Sequence, residues 1–230
     1  VDQKENTRVV PGHADFPGAL KYMAHDMRNV LERASARETA ARVAAGAVAR
    51  AFLDELGIEI HSRVVSVGSV TAPDTPSSKI DWEVVEECDV RTDDPETAEA
   101  FRAAIDASKA DRTTIGGVFQ VVAEGVPVGL GSHIQWDRKL DGMLAQAMMS
   151  INAVKAVEIG AGLRSAAQKG TEHRDEMTPE GFLSNNAGGV LGGISTGQDL
   201  TVRIALKPTS SIRIPGRTID VAGNATEVVT

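Results

Sequence analysis

The chain has 230 residues, enough for one large domain or two small ones with a real core. Apolar residues make up 42% and charged residues 24%, the balance of a soluble folded protein, which excludes disordered, collagen-like and low-complexity classes. Lys and Arg number 24 against 32 Asp and Glu, a net charge of −8, so no general basic face is expected for nucleic acid, and no apolar run approaches the ~20 residues that span a bilayer.

The single Cys88 permits no internal disulfide and no thiolate metal cluster, and no Cys-His pattern surrounds it, so it reads as an inert thiol in a reducing compartment. Five Phe, two Trp and one Tyr serve the whole chain, while Gly reaches 22. The core must therefore come from Ala, Val, Ile, Leu and Met with close backbone approaches, and base-stacking platforms are not expected. VDQKENTRVV at the start has neither an apolar h-region nor twin Arg, so it reads as a cut end or a loop rather than a secretion signal.

In chain order, residues 17 to 33 can be helical from Pro17 onward, and a stronger helix follows. Ser35-Ala36-Arg37-Glu38 has the form of a capping box, and Ala40, Val43, Ala44, Ala47, Val48, Ala51 and Phe52 recur at helical spacing up to a C-cap at Gly57. That helix is expected to be about 30 Å long and, from its small residues, tightly packed and mostly buried. Residues 58 to 70 are rich in β-branched side chains and predict the start of a sheet, followed by a Pro/Ser/Asp loop. Asp94 and Pro95 fit N-cap and N1 of a helix to about Lys109, and residues 113 to 131 read as one or two strands interrupted by glycines. A helix over 137 to 151, a strand over Val154 to Ile159, a glycine-punctuated stretch, the run NNAGGVLGGISTG and a strand over Leu200 to Leu206 complete the pattern. No repeat of fixed period and no linker is visible, which points to one α+β domain.

Few residues point to chemistry when taken singly. His13, in PGHAD, has a carboxylate nearby at Asp15; such a loop histidine is more often structural than catalytic. Arg33 and Arg37 lie four apart around the expected helix start, where amides and the dipole favour an anion; the alternative, an ordinary charged first turn, is less comfortable because cations are disfavoured there, and a bound anion would relieve that. The run Gly188 to Gly193 suits either a cradle for a phosphate or flat ring or plain close packing, and it is neither a P-loop nor a dinucleotide fingerprint. Lys207-Pro208-Thr209-Ser210-Ser211 gathers a cation and three hydroxyls at a strand end, a set that fits phosphate and equally a surface turn. His25, His61, His133 and His173 lack ligand spacing, so no metal is assigned.

Together, PGHADFPGALKY, ERASARETAARVAAGAVAR, LAQAMMSINAVKAVEIG, SNNAGGVLGGISTGQ and KPTSSI occur in an order that resembles the chorismate synthase family over nearly the whole chain. The resemblance implies an α+β fold, a sandwich of antiparallel sheets flanked by helices, in a homotetrameric cytoplasmic protein without nucleic-acid or membrane partners. It implies a lyase of the shikimate pathway that eliminates phosphate, trans-1,4, from 5-enolpyruvylshikimate 3-phosphate to give chorismate. Reduced FMN is required without net redox change, and the family is associated with NADPH. Carried over by position, Arg33, Ala34, Ser35, Asn152, Ala153, Gly192 and Lys207 to Ser211 contact FMN, Arg37 reaches the substrate, and His13 manages a proton at the reduced flavin.

Two departures accompany the resemblance. Val10 stands where the family carries an arginine before the PGHAD block, with Arg8 two residues earlier. The GESHG-like segment at the family's N-terminal side and the RHDPC-like segment at its C-terminal side are not among these residues, so the chain reads as the middle of a longer enzyme, with negligible turnover expected from it alone. The competing reading is a noncatalytic flavin- or anion-binding fragment of the same fold; a plain Ala/Gly-rich assembly module comes third.

Overall fold

The computed structural model describes residues 5–34 and 37–230. The helices are α1 (Asp15–Tyr22), α2 (Arg28–Ala34), α3 (Arg37–Asp54), α4 (Trp82–Glu87), α5 (Pro95–Ala110), α6 (Leu140–Met149) and α7 (Gly170–His173). The strands are β1 (Glu59–Val67), β2 (Val70–Thr71), β3 (Gly117–Glu124), β4 (Val154–Ile159), β5 (Met177–Thr178), β6 (Gly181–Phe182), β7 (Val190–Leu191), β8 (Ile194–Ser195), β9 (Leu200–Leu206), β10 (Gly216–Ile219) and β11 (Ala225–Val228). Helices combined with antiparallel sheets give the α+β class expected from the sequence.

The contacts group into two compact units. One holds the described residues of Val1–Ala47, Ile105–Ile115 and Pro208–Thr230; the other holds Val48–Ala104 and Gly116–Lys207. The second unit is built on a five-stranded antiparallel sheet of order β2-β1-β3-β9-β4. Alternation along these strands sorts the side chains. One face carries Ile60, Phe119, Val121, Ala123, Val202, Ile204 and Val157, which join the apolar clusters with Leu144 and Met148 of α6. The opposite face carries a polar row formed by cross-strand pairing, Arg63–Gln120–Arg203–Glu158. On that same face the Trp82 ring of α4 stacks on His61, centroids 4.7 Å apart, and its Nε1 donates to Glu124 at 2.9 Å.

The first unit is smaller. The segment ahead of α1 lies along β10, where Val9 N donates to Ile219 O and Thr218 Oγ1 to Val9 O. β10 and β11 form a hairpin whose turn is held by Asp220, which accepts from the amides of Ala222 and Asn224. This hairpin lies outside the elements expected from the sequence. α1 and α2 approach closely at Gly18, where a Cβ would stand 2.3 Å from Val30.

Three expectations need correction. The helical run from Pro17 is two helices, because Met23 adopts a left-handed conformation (φ 52°) and ends α1. The Ser35 capping box lies outside the described residues; α3 is described from Arg37 and stops at Asp54, three residues before Gly57 (φ 74°). Most consequentially, α3 has no buried residue: every position from Ala40 to Phe52 is exposed, and its last turn places Leu53 against the Ile58 cluster. Alanine is the strongest helix former, so an Ala-rich stripe forms a helix on local propensity and carries no guarantee of burial.

Candidate functional site

His13 is held from two sides. Its backbone N donates to Val10 O at 3.1 Å across the Pro11-Gly12 turn, and its Nδ1 lies 2.5 Å from Oδ1 of Asp15. Asp15, first residue of α1, is fully buried, and its Oδ2 accepts from Val10 N at 3.0 Å. The His13 ring remains 19% exposed and lines a cleft of about 730 Å³ within the first unit, together with Asn6, Arg8, Leu31, Ser211 and Asp220. The apolar Val10, in place of the family's arginine, is buried, and Arg8 supplies the cation of the cleft wall; its guanidinium donates to Glu227 O. Hydrogen bonds, first from the Asn224 amide, keep the Asp220 carboxyl below its ordinary pKa.

The KPTSS block meets this site at its hydroxyl end. A Cβ on Gly12 (φ 79°) would lie 3.1 Å from Ser210 Oγ, so the turn before His13 packs directly against Ser210, and Ser211 reaches the cleft. Pro208 and Thr209 are exposed, with Thr209 O accepting from Thr114 Oγ1. Arg33 is exposed but sits in the last turn of α2, at the C-terminal end of a helix where the dipole favours a cation, rather than at the start of the next. Ala34 closes α2, half-buried, and Arg37 opens α3, exposed. Ser35 lies outside the described residues.

The other anticipated flavin contacts belong to the second unit. Asn152 and Ala153 form the turn between α6 and β4, with Ala153 left-handed (φ 70°) and its O accepting from Lys207 N at the end of β9. Gly192, exposed in the β7–β8 turn, has open space where a Cβ would be. The glycines ahead of it are differently used. Gly188 N donates to Asn185 O and Gly189 N to Asn185 Oδ1, and Gly188 and Gly160 approach so closely that a Cβ on either strikes the other's backbone or its neighbours'. The reading of this run as an anion cradle gives way, at Gly188 and Gly189, to close packing.

Sequence reasoning missed the groups that organise this second unit. Asp175 accepts from Ser184 Oγ and from the amides of Asn186 and Ala187, fixing the NNAGG loop. Burial pushes its carboxyl upward, yet these bonds outweigh burial and leave it below its ordinary pKa. Arg63, 2% exposed, donates from Nε to Gln120 Oε1 at 3.0 Å and from Nη2 to Thr75 O at 3.2 Å, with Asp93 3.5 Å from Nη1. Burial pulls the guanidinium below its ordinary pKa, and Asp93 opposes that shift. Arg164 and Arg203 both pair with Asp74 at the mouth of a second cleft of about 520 Å³. For Arg63 the signal in the sequence is a charged residue within a run of β-branched strand residues.

Comparison with known proteins now adds identity to geometry. The model of the family described as chorismate synthase matches residues 2–230. A curated chorismate synthase of Desulforudis audaxviator (strain MP104C) is 51% identical over 222 residues, which is 94% of this chain and 57% of that protein. A crystal structure of chorismate synthase superposes with a TM-score of 0.80 at 47% identity, covering 86% of this chain and 63% of the other. The chain thus spans a little under two thirds of the relatives it matches. With nearly every residue inside the family's match and half of them identical to a curated member, this chain belongs to the chorismate synthase family.

Proposed function

We propose that this chain supplies the central part of a lyase that eliminates phosphate, trans-1,4, from 5-enolpyruvylshikimate 3-phosphate to form chorismate. The observation that carries the reading is His13, braced on the buried Asp15 in a polar cleft that also receives Arg8 and Ser211. An imidazole both accepts and donates a proton, which suits proton transfer there.

The donor chemistry fits reduced FMN: within the first unit, the exposed hydroxyls of Thr209 and Ser211 suit an anionic phosphate. Reduced FMN held there would supply electron density for breaking the C–O bond, with no net redox change. In this reading Arg33, Ala34, Ser35, Asn152, Ala153, Gly192 and Lys207 to Ser211 bind the cofactor, Arg37 holds the substrate's anionic groups, and His13 keeps a proton on the ring nitrogen facing the cleft. The assembled enzyme is a homotetramer of the cytoplasm.

The deciding experiment uses a protein extended to the length of the curated relatives, given 5-enolpyruvylshikimate 3-phosphate and FMN reduced without oxygen. Phosphate release that depends on the reduced flavin is the expected result, with negligible release from residues 1 to 230 alone. Flavin binding without any release from the extended protein would select the noncatalytic reading instead.

A further inference from the structure

We propose that Asp15 is a positioning residue that sets the tautomer of His13, so that Nδ1 carries the hydrogen and Nε2 is the nitrogen offered to ligands in the cleft. The inference rests on the reading of His13 as the proton-handling group and deepens it.

The argument starts from the cost of burial. A carboxylate with no exposed surface is tolerated only when its oxygens are hydrogen-bonded. Asp15 has one acceptor interaction fixed by the backbone, since Val10 N donates to Oδ2 at 3.0 Å and an amide can only donate. Its other oxygen, Oδ1, is 2.5 Å from His13 Nδ1. A carboxylate accepts and does not donate, so the hydrogen of that bond belongs to Nδ1. In the neutral ring the second nitrogen, Nε2, then holds a lone pair, and in the charged ring it holds the mobile proton. The ring's orientation is held by this bond itself, since turning the ring over would replace Nδ1 by a carbon and leave Oδ1 of the buried Asp15 without its donor. Asp15 opens α1, where the positive end of the helix dipole adds support for its charge. Arg8, Glu5 and Asp220 also line the cleft; Arg8 is engaged by Glu227 O and Asp220 by its own turn, which leaves Asp15 as the carboxylate in contact with the ring.

The arrangement makes an unusual demand on Asp15→Asn. Val10 N requires an acceptor, so the amide oxygen of the replacement stays there and its NH2 faces His13. Nδ1 must then accept, and the neutral ring moves its hydrogen to Nε2. This inversion is read directly from histidine 15N chemical shifts in long-range proton–nitrogen spectra, with the His13 signals identified by their loss in His13→Gln. The wild-type protein is expected to show the Nδ1–H form and Asp15→Asn the Nε2–H form.

A wild-type ring in the Nε2–H form overturns the proposal without requiring any variant to fold, and so does an Asn variant that keeps the hydrogen on Nδ1. Turnover of the extended protein is measured alongside. If His13 handles the proton, Asp15→Asn lowers kcat by about 10²-fold or more while FMN still binds. An inverted tautomer with unchanged kcat would leave the Asp15–His13 arrangement standing and reject the catalytic reading of His13.

Discussion

Asp15 and Arg63 are both charged residues buried to within 2% of complete exclusion from solvent, and they serve opposite ends. Arg63 stands on β1 and directs its donors to Gln120 Oε1 and Thr75 O, with Asp93 beside it; Gln120 and Thr75 line the second cleft but present there only an amide, a hydroxyl and a backbone carbonyl. Asp15 stands at a helix start behind a tight turn, and one of its two partners is a histidine whose ring lines an open cleft. Burial alone therefore does not distinguish an architectural charge from a functional one. What distinguishes them is whether the partner has chemistry left to offer once the pair has formed.

The sharpest test of that contrast is removal of the partner. In the extended protein, His13→Ala is expected to lower turnover by about 10²-fold or more with flavin binding retained, the usual loss for an acid–base group. Anaerobic phosphate release and flavin titration measure the two effects, and unchanged turnover would reject the role. Arg63→Met should act on the other side of the comparison. It leaves the buried Gln120 and the half-buried Asp93 without their cation, and a loss of about 3 kcal/mol in urea unfolding is expected, with no change in the His13 tautomer.

Backbone effects come next in size. Gly160 has φ 58°, and a Cβ there would stand 2.2 Å from Asn186 O, so Gly160→Ala should cost about 1–3 kcal/mol and disturb the NNAGG loop. Gly57→Ala, where φ is 74° but nothing lies within 4 Å, carries only the conformational penalty and should cost less. Unfolding curves that rank the two equally would show that the close approach at Gly160 relaxes freely.

The smallest effect concerns the first unit at low pH. The Arg28 side chain holds the Asp26 carboxyl down at about 2, against an ordinary 3.8. A depressed carboxylate stabilises the folded state above its ordinary pKa, and that contribution is lost as pH falls from about 4 through 2. Asp26→Asn should lower stability slightly at neutral pH, where the pair contributes, and flatten the acid limb of a stability-against-pH curve; an unchanged limb would show that the pair has no net effect in solution.

How far the sequence reached depends on the range of the interactions involved. β1, β4, β9 and α5 stand where alternation and the Asp94-Pro95 start signal put them, with Asp94 accepting from Thr97 N at 2.8 Å. These are local rules, satisfied within a few residues. The blocks around His13 and Lys207 were also legible, as runs whose order resembles one family. The β10–β11 hairpin was not, because its four-residue strands carry little periodicity and are defined by pairing with each other and with Val9.

By itself, then, the sequence determined the α+β class, the main strands of the large sheet, the family, and His13 with its neighbouring carboxylate as a candidate pair. Only the tertiary structure decided that Asp15 is buried and bonded to Nδ1, that Arg63 pairs across 57 residues with Gln120, and that the Ala-rich α3 is exposed among the described residues. The physical reason is the same in each case. Helix and strand formation respond to neighbours along the chain, whereas burial, desolvation and the partner of a charge depend on residues brought near only by folding.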